Sequence, residues 1–109
     1  MRDTSGLTVA AERFADRLRA APQSRLQRGA AAEGLALARE LATRAQRAEF
    51  PEREPVELPD AGVFVVADQL VVAAADLAEA LRTAPASTPE GGLDEAVRLV
   101  REAEARSGL

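Results

Sequence analysis

An all-α domain, built as a four-helix bundle or an open four-helix array, is what this sequence predicts, and three observations predict it. The chain has 109 residues, the length of one domain that buries a modest core without staples. Three proline-bearing breaks, at Pro22, at "PEREPVELP" (51–59) and at "TAPASTPEGG" (83–92), cut it into four pieces. Within each piece apolar residues recur at spacings of three and four, the period of a helix with one buried stripe.

The first helix is expected over about 8–21. Leu7, Ala10, Ala11, Phe14, Leu18 and Ala21 share one narrow face, while Glu12, Arg13, Asp16 and Arg19 point elsewhere. Pro22 ends it, because the proline ring excludes the helical conformation of the residue before it. This break bends the first two helices into a hairpin or an L.

A long second helix is expected over 24–49, with Ser24 as its cap. Leu26, Ala30, Leu37, Leu41 and Ala48 form one stripe, and Ala31, Gly34, Ala38, Ala42 and Ala45 form a neighbouring stripe of small residues. An interior glycine costs about 1 kcal/mol relative to alanine. Close approach of another helix at Gly34 is the natural compensation. Glu40 and Arg44 stand four apart in the favourable order.

The third helix is expected over 60–82, capped by Asp60. Val-Phe-Val-Val at 63–66 has strand character, but Val63, Val66, Ala67, Leu70, Ala74, Leu77 and Leu81 keep helical spacing without a slip. The fourth helix, 89–106, starts from Thr88-Pro89-Glu90, a cap followed by proline at the first helical position. Its inward face carries Leu93, Ala96, Val97, Val100 and Ala103, and Asp94–Arg98 and Glu102–Arg106 are spaced as surface ion pairs. The segment 51–59 reads as a stiff connector folding Val56 and Leu58 over the end of the bundle, and 83–88 reads as a loop.

The third helix raises the functional question. Asp68, Gln69, Asp76 and Glu79 fall opposite its core face, but Val65 and Val72 lie among them, with Phe64, Val71 and Ala75 along the edge. Water-facing strips do not ordinarily carry two valines and a phenylalanine. Either another helix of the same fold covers this strip, or it is a seam for a second chain. In the second case Val65 and Val72 supply burial, flanked by Phe64, and Asp68 and Gln69 set register, with Asp76 in the same seam. The reading adopted is the seam: a non-enzymatic protein–protein interaction module, pairing with itself as a homodimer.

Arg25, Arg28 and Arg39 lie on one outer face of the second helix, with Gln46 nearby, and form a candidate anion-binding set. Charge complementarity between this basic face and the acidic third helix would steer pairing of copies. Two other uses compete for these arginines. A small DNA-binding regulator would place Arg25 and Arg28 at the start of a recognition helix. An arginine-clamp enzyme would gather all three around an anionic metabolite.

Composition weighs against both. All 14 basic residues are arginine, and lysine, histidine, cysteine, tyrosine, tryptophan, isoleucine and asparagine are absent. The pattern fits a GC-rich bacterial codon bias better than selection for guanidinium chemistry. Without histidine, cysteine, lysine or tyrosine, Ser and Thr have no side chain to activate them, and only carboxylates remain as bases. No catalytic residue, cofactor or metal site is expected. The net charge of −4 disfavours nonspecific binding to nucleic acid or anionic membrane. The absence of a long uncharged apolar run, of a cleavable leader pattern and of cysteine fits a cytoplasmic chain.

Overall fold

A computed structural model describes residues 2–85 and 91–109. Its helices are α1 (Ser5–Ala20), a short α2 (Gln23–Arg25), a wide π-turn (Leu26–Ala30), α3 (Ala31–Glu49), α4 (Val66–Arg82) and α5 (Gly91–Arg106). No strand occurs among the described residues. The fold is the predicted all-α array of four long helices, with one core drawn from all of them. Phe14, Leu7, Leu41, Leu70 and Val100 are its largest fully buried side chains.

Boundaries depart from expectation where backbone chemistry outweighs periodicity. α1 begins at Ser5 rather than at 8, because the Asp3 carboxylate accepts from the Ser5 backbone N–H at 3.0 Å and from its hydroxyl at 2.6 Å. These bonds hold the Asp3 carboxyl below its usual pKa. Ser24 caps nothing: Pro22 holds the cap position, its carbonyl accepting from Arg25 and Leu26. The second helix is also not continuous. Gly29 sits at φ +146°, a conformation that L side chains rarely adopt, and the chain widens there so that Ala31 N–H reaches back to the Leu26 carbonyl.

The third helix starts at Val66, six residues later than expected. Asp60 accepts instead from Gly62 N–H at 3.0 Å, and Gly62 takes φ +100°, which no helix continues through. The Thr88-Pro89 cap expected for the last helix lies outside the described residues. At the surface, Glu40–Arg44 forms as spaced, at 2.7 Å. The other two expected pairs do not form, because Arg98 turns to Glu102 and Arg106 crosses to Glu33 on α3 at 3.0 Å.

Cross-links between helices reveal the topology. Arg19 on α1 bonds Asp68 at the start of α4, so these two helices run antiparallel, the α1 end meeting the α4 beginning. Gly34 and Val66 touch at one level, and Ala42, Val72 and Ala73 share a groove further along, so α3 and α4 run parallel. Arg44–Glu95 and Arg106–Glu33 set α5 antiparallel to α3. The order is up, down, down, up; an up-and-down bundle would alternate. α4 packs between α1 and α3 on one side, and α5 bridges the same two helices on the other.

Parallel α3 and α4 require the chain to return the full length of α3 between them. Residues 50–65 do so along the flank of α3; the expected cover over the bundle end is not formed. Three side chains strap this connector down. Gln46 donates from Nε2 to the Val56 carbonyl at 3.0 Å and accepts Val56 N–H on Oε1 at 2.7 Å, as a strand neighbour would. Arg39 donates from Nε to the Leu58 carbonyl at 2.8 Å, and Gln69 Nε2 donates to the Pro59 carbonyl at 3.0 Å. Leu58 and Val63 press on the core, whereas Val56 is exposed. Gln46→Ala is therefore expected to speed hydrogen exchange at Val56 N–H at least about tenfold while α3 core amides keep their protection, read by NMR exchange.

Candidate interaction surface

The core face of α4 is the one its spacing specifies: Val66, Ala67, Leu70, Ala73, Ala74 and Leu77 are buried. Its opposite face is covered only in part by the described residues, Arg19 reaching Asp68 and the connector reaching Gln69. Phe64 is 71% exposed, Val72 59% and Val65 38%, and Asp68 and Asp76 are exposed beside them. Phe64 and Val65 lie in the turn that leads into the helix, with Val65 at the cap position. Of the six residues singled out from the sequence, Asp68, Gln69, Val72 and Asp76 line one groove, whereas Phe64 lies in another hollow with Leu18, Arg19, Ala21 and Leu26; Phe64, Val65 and Val72 face solvent.

The two polar residues expected to set register are engaged within the chain. Asp68 Oδ1 accepts from Arg19 Nη2 at 2.8 Å, and Arg19 also holds Asp16 at 3.2 Å. The bond to Asp68 is the main reason that the Arg19 pKa rises above its ordinary value. Gln69 spends its amide N–H on the Pro59 carbonyl, and its own carbonyl oxygen is shut off from solvent without a donor. Asp76 has no partner among the described residues.

Alongside this strip runs an apolar groove of about 250 Å³. Ala42 of α3 and Leu58 of the connector form one wall, and Gln69, Val72, Ala73 and Asp76 the other, with Asp68 at its end. Ala42 and Leu58 escape sequence reading because only the retracing connector brings them here. The one available signal was Leu58 itself, an aliphatic residue held between prolines. Arg19 was missed too; the helical wheel of α1 shows it pointing outward, but not toward which neighbour.

The three arginines proposed to bind an anion do not converge. Arg25 donates to the Gly108 carbonyl, and Arg39 is held by the Leu58 carbonyl and by Glu57 at 3.1 Å. Gly29 breaks the helix between Arg28 and Arg39, so no common face survives. A wider hollow of about 810 Å³, between the start of α1 and α5, interleaves Asp3, Asp94 and Glu102 with Arg98 and Arg101 and gathers no single charge. Among the described residues no group of three or more acidic side chains is placed to hold a metal ion. No helix there is long and apolar enough to cross a membrane. The chain matches no protein-family model, no curated protein and no solved structure.

Proposed function

We propose that this chain is a non-enzymatic interaction module that pairs with a second copy of itself through the outer face of α4. One observation carries the reading. Of the six large apolar side chains left exposed among the described residues, three (Phe64, Val65 and Val72) belong to α4 and the turn that leads into it, and Val72 lines an apolar groove. Such clustering marks association surfaces, whereas scattered exposed residues do not. Of the arginines that a DNA-reading or anion-clamping chain would use, Arg25 is tied to the C-terminal segment and Arg39 to the connector.

Val72→Glu tests the reading. The side chain is 59% exposed, so the folded monomer tolerates the change within about 0.5 kcal/mol. Circular dichroism is expected to show unchanged helicity and an unchanged melting curve at low concentration. Sedimentation from about 10 μM to 1 mM is expected to show concentration-dependent dimer for the natural chain and monomer alone for the variant. A natural chain that stays monomeric throughout overturns self-pairing.

A further inference from the structure

The connector along α3 is fastened unlike the helices it joins. Residues 51–62 include no buried residue, and only Pro55 and Leu58 are half-buried. Among the described residues, no backbone–backbone bond joins 54–61 to a helix. Side chains reaching out from the helices hold it instead: Gln46 to Val56, Arg39 to the Leu58 carbonyl and to Glu57, and Gln69 to the Pro59 carbonyl. Leu58 is the one aliphatic side chain of this stretch that packs on the core, and Val56 is 75% exposed.

The helices do not depend on these bonds. α3 and α4 meet through their own buried faces, with Gly34 against Val66 at one level and Leu41 and Leu70 in the shared core. At one end of the connector Phe50 has already left the helix, at φ −132° and ψ 69°. At the other, Gly62 stands at φ +100° with open space around it, so nothing obstructs a swing there. The closed position also carries an uncompensated cost. Gln69 Oε1 is shut off from solvent without a donor among the described residues. Once Pro59 lets go of the amide, that side chain is free to turn its oxygen to water. Sparse fastening, a glycine pivot and a cost of closure mark a segment whose opening precedes unfolding of the core.

We propose that residues 51–61 form a releasable strap, which lifts from the α3 flank as one unit, pivoting at Gly62, while the four long helices stay packed. Release takes Leu58 out of the groove beside α4 and bares Ala42, so one wall of that groove is movable. The proposal does not rest on pairing between copies.

Val56 N–H is the reporter, because it is the strap amide bonded to a helix side chain. In amide exchange followed by NMR on the full chain, Val56 is expected to exchange at least about a hundredfold faster than Leu41 and Leu70, with little response to low urea. Arg39 bonds neither Val56 nor Gln46. Arg39→Ala is nevertheless expected to speed Val56 exchange about tenfold, since one release breaks all the bonds together. Leu58→Ala is expected to act in the same direction, and circular dichroism to show unchanged helicity for both. If Val56 shares the rate and urea dependence of Leu41 and Leu70, the strap leaves only when the core unfolds, and the proposal is overturned. If Val56 exchanges in Arg39→Ala or Leu58→Ala as it does in the natural chain, the bonds break one at a time, and the single unit is overturned.

Discussion

Phe14→Ala is expected to remove about 3–5 kcal/mol of stability, a large share of the roughly 5–15 kcal/mol that holds a domain of this size folded. Phe14 is the largest fully buried side chain, at 0% exposure, and the only phenylalanine inside the core. The core offers little to fill the void. Ala11, Ala15, Ala38, Ala74 and Ala96 are all fully buried, and an alanine methyl has no rotamer by which to swing into a cavity. The melting temperature is expected to fall by roughly 15–25 °C, followed by circular dichroism with urea denaturation in parallel. A fall of under about 5 °C would mean that the core collapses around the gap and is packed more loosely than described.

The second large effect comes from adding atoms. Gly34→Leu is expected to cost upwards of about 3 kcal/mol, the high end of overpacking, despite the better helix propensity of leucine. A single Cβ at Gly34 would lie 2.7 Å from Val66 Cγ1 and 3.1 Å from Leu18 Cδ1. Neither neighbour yields easily. Val66 is β-branched, opens α4 and is 3% exposed; Leu18, also 3% exposed, sits against the same crossing. Gly34→Ala is the milder form: a propensity gain of about 1 kcal/mol meets a packing loss of about 1–3 kcal/mol, for a net loss. Gly6→Ala is the control, since nothing lies within 4 Å of the added methyl in α1 and the melting temperature should hold or rise. If Gly34→Leu melts with the natural chain, α3 and α4 do not cross this closely.

Gly34 also shows how far a helical wheel reaches. Its unfavourable propensity announced a close approach, and the structure supplies the approaching side chains. The buried faces of α1 and α4 were equally legible, because a stripe repeating at three and four has one way to be covered. Gly29 carries the same letter and means something else. It breaks the helix with φ +146°, and nothing in its neighbours separates a glycine that packs from one that turns. Asp60 failed as a cap for a related reason: Asp before Ala-Gly closes a turn as readily as it starts a helix, and Gly62 decides for the turn.

The candidate site was legible in part. That Val65, Val72 and Phe64 stand apart from the core face follows from angle alone, and all three are exposed. What Asp68 and Gln69 bond to is set by α1 and by the connector, which reach α4 from about 50 and 10 residues away in the chain. Periodicity carries no information about such distant neighbours. The basic face assembled from Arg25, Arg28 and Arg39 assumed a straight helix. It fails at the one residue that bends it.

Because α1 and α5 point the same way, the first and last helices begin together at one end of the molecule and finish together at the other. The chain's two ends therefore emerge at opposite poles, separated by about 24 Å, the length of a sixteen-residue helix. A circular permutant would need a spacer of some seven or eight extended residues to join them. Labels on the two ends therefore report the shared length of α1 and α5.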